Sequence, residues 1–186
     1  VIDIAHLEAF NLSARDVSLQ RLVNFGVGPL MKAAFDEIFR SPFIARVMVA
    51  ELDPTQERET FYTVDADGSF TGADSVAVIA GTPEVADAIR AHLSQDTADQ
   101  PLKQALRSCV SAWGVGRLRG EAAAEELDEP TSAQIAEAIT SALESVHLEA
   151  AVLDRTLPTK TKFRLLDEPT LAAAADAATD VSGSGS

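Results

Sequence analysis

The sequence predicts a layered α+β protein in which antiparallel strands are covered by helices on two sides, and three observations carry that prediction. His147 to Leu166, HLEAAVLDRTLPTKTKFRLL, reads as two strands joined by a turn. Leu148, Ala150 and Val152 alternate with Glu149, Ala151 and Leu153; after the break at Arg155 to Pro158, Thr159 to Leu166 resumes a period of two with Lys160, Lys162 and Arg164 on one face. Ala45 to Leu52, Val76 to Ala80 and Ala150 to Leu153 are apolar on both faces, which calls for a layer above and a layer below. Finally, the strands fall in sets instead of alternating singly with helices, the order of an α+β chain.

In chain order, Val1 to Asn11 opens on VIDIAH, which alternates like a strand but has no turn or partner before it. From Asp16 the period becomes helical: Leu19, Leu22, Val23, Leu30, Met31, Ala34, Phe35, Ile38 and Phe39 recur at three and four, with Asp16 as N-cap and Pro42 past the end. Gly26, Gly28 and Pro29 place a bend in that helix. Strands are expected at Ala45 to Leu52, Thr60 to Val64 and Val76 to Ala80, with turns at Asp53-Pro54 and Asp65 to Gly68. Thr82 and Pro83 start a helix that turns Val85, Ala88, Ile89 and Leu93 inward. Pro101 to Trp113 sets Leu102, Leu106, Cys109 and Trp113 on one stripe, and Gly114-Val115-Gly116 reads as its stop. Gly114 to Pro130 is then an acidic connection. Thr131-Ser132-Ala133-Gln134 is a capping box opening a helix through Ile135, Ile139, Ala142 and Leu143 to Val146. A short helix at Thr170 to Ala178 and a disordered SGSGS ending complete the chain, with a domain at 1–171 and a flexible tail at 172–186.

Composition narrows the function. A net charge of -14, from 15 basic and 29 acidic side chains in 186 residues, argues against nucleic acid as a partner. The apolar runs fall short of the ~20 residues of a membrane-spanning helix, and no leader opens the chain, so a cytoplasmic setting is expected. A single cysteine agrees with a reducing compartment.

The search for chemistry returns little. Asp65-x-Asp67-Gly68 has part of a calcium-loop pattern, but its glycine falls early and Val76 stands where the loop needs a glutamate, so a plain turn is expected. Gly114-Val115-Gly116 follows a helix, not the strand a dinucleotide loop requires. Cys109 is expected as an inert core thiol; His6, His92 and His147 share no ligand spacing; the first residue, Val1, is no N-terminal nucleophile. The Lys160, Lys162, Arg164 row is expected as a solvated or interface strand face. No catalytic, cofactor-binding or metal residue is assigned, and the binding residues are unknown.

Several segments together resemble the alpha subunits of bacterial-type 20S proteasomes. Glu149 to Leu166 is similar to that family's C-terminal hairpin and Phe61 to Ser69, FYTVDADGS, to one of its strands and turns; Ala14 to Val17, Ala77 to Ile89 and Pro101 to Ala112 match in the same order. The resemblance implies the N-terminal nucleophile hydrolase fold, a four-layer αββα sandwich of antiparallel sheets between helical layers. It also implies a non-catalytic subunit, without a cofactor, that associates with itself into a seven-membered alpha ring. That ring caps the catalytic beta rings, gates the entry pore and offers pockets to an ATP-dependent unfoldase. The chain starts about where the family's second major helix is approached, so the fold is expected to be incomplete at its N-terminus. The gating segment and the pocket lysine cannot be mapped, and the chain is either a shortened form or a divergent relative that has lost its gate. A chain lacking the family's first strands is expected to be less stable, or more prone to associate, than its size suggests. The alternative is an enzyme of the same superfamily whose nucleophile lies in a missing N-terminal portion.

Overall fold

The structure is a computed structural model and describes residues 2–11, 17–37, 39, 44–52, 59–94, 100–121, 129–159 and 161–181. It is α+β, with helices and small antiparallel sheets, and divides into two compact units, Val1–Ile79 and Ala80–Ser186.

The first unit is a helix layer on a three-stranded sheet. Helix α1 spans Ile2–Asn11, so the segment whose strand-like alternation had no turn or partner before it is helical. The alternation over six residues is too short to separate period two from period 3.6, and Ile4, the side chain that packs on the core, is served by either. Helix α2, Leu19–Leu22, is capped by Ser18, whose Oγ accepts from the Arg21 N–H at 3.3 Å; Asp16, the expected cap, lies outside the described residues. A π-type turn, Val23–Val27, leads into α3, Gly28–Asp36, where the sequence placed its bend. The wider turn carries the chain through to Pro29, which has no N–H to give. Leu19, Val23, Val27 and Met31, stepping by four, meet Val64 in the core, with Val49 and Tyr62 packed against it.

The sheet order is β1 (Val47–Leu52), β2 (Glu59–Val64), β3 (Phe70–Ala73), antiparallel throughout, with Val49 opposite Tyr62 and Val64 opposite Phe70. The third strand is therefore not Val76 to Ala80, which carries no ladder. The turn decides this. Asp65 N–H bonds the Ser69 carbonyl at 2.8 Å, and that closure lays the very next residues beside β2, although Gly72 weakens their own strand propensity. The side of β1 and β2 away from the helices carries Met48, Ala50, Leu52 and Phe61, all at least partly exposed.

The second unit is helical, with a hairpin. Helix α4, Pro83–Leu93, is capped by Thr82, and α6, Ser132–Leu143, by the expected capping box: Gln134 N–H donates to Thr131 Oγ1 at 3.3 Å and Thr131 N–H to Gln134 Oε1 at 2.8 Å. Replacing that threonine, Thr131→Ala, is expected to remove about 1 kcal/mol, read as a lower urea midpoint by the fluorescence of Trp113, the chain's one tryptophan.

Between them α5 runs unbroken over Leu102–Glu121. Gly114 and Gly116 are not its stop. A Cβ on Gly114 would lie 2.7 Å from Ile139 Cγ1 and one on Gly116 2.6 Å from Ile89 Cδ1, so the missing side chains are what lets α6 and α4 pack close on this helix. Tertiary packing offsets the roughly 1 kcal/mol that each mid-helix glycine costs. Because α4, α6 and α7 all pack on α5, its buried positions are Val110, Ala112, Gly114 and Val115, and the expected stripe is half realised: Leu106 and Trp113 pack against the core, whereas Leu102 and Cys109 are exposed.

The hairpin pairs β4 (Ala151–Leu153) with β5 (Phe163–Leu165), extended one step at each end by Leu166 N–H to the Ala150 carbonyl (2.9 Å) and Asp154 N–H to the Lys162 carbonyl (2.7 Å). Ala150 to Leu153 is not covered on both faces: Val152 is half-buried, whereas Ala151 and Leu153 share an open face with Phe163 and Leu165, the last two 51% and 72% exposed. Helix α7, Glu168–Thr179, is capped by Asp167 and buries Leu171, Ala174 and Ala175. The domain limit expected at residue 171 thus falls inside a helix whose alanines belong to the core, because small side chains at this spacing allow close packing on α5.

Candidate functional site

The turn singled out by its aspartates is a structural one. Asp67 accepts from both the Ser69 N–H (2.9 Å) and the Ser69 hydroxyl (2.6 Å), and those hydrogen bonds, the hydroxyl's first, hold its carboxyl below the usual carboxylate range. Asp65 is bonded by the Arg46 guanidinium, and Gly68 takes the left-handed backbone at φ +81°. The carboxylates thus serve the turn itself, and among the described residues no group of three or more His, Cys, Asp or Glu is placed to hold a metal.

Of the three histidines, His6 is exposed on α1, His147 is exposed after α6, and His92 on α4 lies 2.9 Å from the Ser111 hydroxyl on α5. A serine beside a histidine invites a nucleophile reading. Here both sit inside helices whose backbone N–H groups are committed to helix bonds, so neither helix offers a pair of free amides to an oxyanion next to Ser111. The pair is a bond between two helices. In the basic row, Lys160 lies outside the described residues, the Lys162 amine donates to the Leu157 carbonyl, and Arg164 is 3.9 Å from Asp154. Two of the three expected cations therefore face partners within their own hairpin.

What the residue search missed is a concave surface in the second unit, a trough of about 680 Å³. Leu143 and Val146 form one end, Leu148 and Leu166 the wall along the hairpin, and Leu171 with Ala172 the side given by α7. Glu149 and Glu168, both exposed, are on its margin. Its sequence signal is only the apolar spacing of Leu143, Val146 and Leu148 and the Leu165-Leu166 pair, which periodicity assigns to a core just as readily.

No helix among the described residues is long and apolar enough to cross a membrane. No family model matches the chain. Among curated proteins it is similar to the proteasome subunit alpha of Actinosynnema mirum, with 30% identity over 173 residues. Those residues are 92% of this chain and 58% of the relative, so the chain spans a little over half of the length of the curated protein it matches. With the hairpin at Glu149 to Leu166 and the turn at Asp65 to Ser69 built as antiparallel elements, the likeness first read from those segments extends along nearly the whole chain, which is similar to a proteasome alpha subunit.

Proposed function

We propose that this chain is a non-catalytic alpha-ring subunit of a proteasome core particle, acting in the cytoplasm. In this reading it associates with copies of itself into a heptameric ring that caps the catalytic beta rings of a threonine protease, with gated substrate entry and docking of an ATP-dependent unfoldase. The observation that carries the proposal is the 30% identity over 92% of the chain.

The architecture supports it in a specific way. Each unit, taken by itself, is a helix layer with a small antiparallel sheet whose remaining face is open and carries apolar side chains: Met48, Ala50, Leu52 and Phe61 beside Thr63 and Thr71 in the first, Ala151, Leu153, Phe163 and Leu165 in the second. A helix layer on a sheet layer is half of a four-layer αββα sandwich, and an apolar sheet face is what a facing sheet covers at about 10 Å. We assign that fold to the complete protein.

The test is sizing and activity of the purified gene product. The expected result is a ring-sized assembly by sedimentation with no peptide turnover of its own. Turnover in a preparation free of beta subunits, abolished by one point substitution in this chain, would overturn the proposal, as would a monomer at every concentration tried.

A further inference from the structure

The trough between α6, the hairpin and α7 in the second unit combines aliphatic walls with an acidic rim. Its walls are aliphatic, from Leu143, Val146, Leu148, Leu166 and Leu171, and they stay open to solvent at Val146, which is 40% exposed. Its volume falls within the few hundred to about 1,000 Å³ typical of binding clefts. Leu171 and Ala175, both buried on α7, line it, and the same helix turns Ala174 into the core. Two carboxylates, Glu149 and Glu168, flank it, and no lysine or arginine lines it among the described residues.

We propose that this trough docks a basic amphipathic helix of a partner protein, one that carries Leu-like side chains along one face and Lys or Arg beside them. Shape and charge select that occupant. Ala172 and Ala175, three residues apart on α7, present no bulk to a helix laid alongside, which permits an axial approach near the low end of the 8–10 Å range. The apolar face fills the trough and is held by burial of aliphatic surface, as in other helix-in-groove complexes. Glu149 and Glu168 meet the flanking cations at the rim, where such pairs govern orientation and on-rate and weaken with salt. A chain of net charge -14 also attracts a cationic partner from a distance.

The test uses a fluorescently labelled 16-residue peptide with leucines at helical spacing and lysines on the flanks. Its anisotropy is followed with the full 186-residue chain at low and at physiological salt; the same peptide with glutamate for lysine is the comparison. The expected result is saturable binding of the lysine peptide only. Ala172→Arg, at an exposed position on the wall, is expected to weaken it by about tenfold or more. Glu149→Gln with Glu168→Gln is expected to weaken it several-fold at low salt and less at high salt. A charge-matched control, Glu121→Gln with Glu137→Gln on α5 and α6, should leave it unchanged. Equal weakening by the control pair would show attraction to net charge alone and overturn the proposal. So would binding indifferent to both Ala172→Arg and the rim pair, or self-association of the unliganded chain that Ala172→Arg abolishes, since the trough would then hold a second copy. Each variant is first checked for native Trp113 fluorescence, and the rim pair, two exposed glutamates, keeps the test open if Ala172→Arg does not fold.

Discussion

Ile139→Ala is expected to lower the stability of the second unit by about 2–5 kcal/mol, seen as a large fall in the urea midpoint reported by Trp113. Ile139 is 0% exposed, and Trp113 packs against the core it fills. The size of the effect follows from what lies opposite. At Gly114 a Cβ would sit 2.7 Å from Ile139 Cγ1 and 3.1 Å from its Cδ1, so the isoleucine occupies the slot left by the glycine. An alanine at 139 leaves that slot empty, and two helix backbones already near contact distance have little room to collapse into it. The pairing makes the argument separable from a generic core truncation. Gly114→Ala alone is expected to destabilise through overpacking by about 1–3 kcal/mol, less what a better helix former returns. Added to Ile139→Ala it should restore part of the loss, a coupling that a double-mutant cycle measures. Strict additivity, or a loss under about 1 kcal/mol from Ile139→Ala, would mean that α5 and α6 do not meet through this slot.

The same glycine shows where the sequence was legible and where it was not. Caps are chemical and local: Thr82 with Pro83 and Thr131 with Gln134 each state a helix start in three or four residues, and both helices begin there, while α7 starts at Glu168 under the Asp167 cap, two residues before the expected Thr170. Glycine is ambiguous. Gly114 and Gly116 break a helix by propensity and join three helices by packing, and only the residues opposite, Ile139 and Ile89, decide between the two. Apolar runs have the same defect. Val76 to Ala80 has the composition of a strand, yet pairing goes to Phe70–Ala73 because the Asp65 to Ser69 turn delivers those residues first. Cys109 was misplaced because one apolar stripe was assumed for a helix that is packed upon by three others. The trough escaped notice for a related reason: its parts come from four segments, and none of Val146, Leu148, Leu166 or Ala172 differs in kind from a core residue until its exposure is known.

Gly68→Ala is expected to destabilise the first unit by about 2–5 kcal/mol, from two causes that add at one atom. The residue sits at φ +81°, where a Cβ costs roughly 1–2 kcal/mol in an L-amino acid. That Cβ would also lie 2.4 Å from the Gly28 carbonyl oxygen and 2.8 Å from the Lys32 backbone nitrogen. These are backbone atoms of the first half of α3, and Gly28 there also approaches the turn: a Cβ on it would lie 3.1 Å from the Gly68 carbonyl oxygen. The overlap can be relieved only by moving the β2–β3 turn off the helix, at about 1–3 kcal/mol. The loss should appear as faster amide exchange at Val64 and Ser69 and as a weakened near-ultraviolet signal from Tyr62, the one tyrosine, whose ring stands edge-on to Phe70 at 6.2 Å. Gly81→Ala is the matched control, with open space around its Cβ position, and should be neutral. Asparagine separates the causes, because it tolerates the left-handed backbone but keeps the Cβ. Gly68→Asn should therefore recover the conformational part and remain destabilised by the overlap, whereas full recovery would show that the turn does not rest on α3.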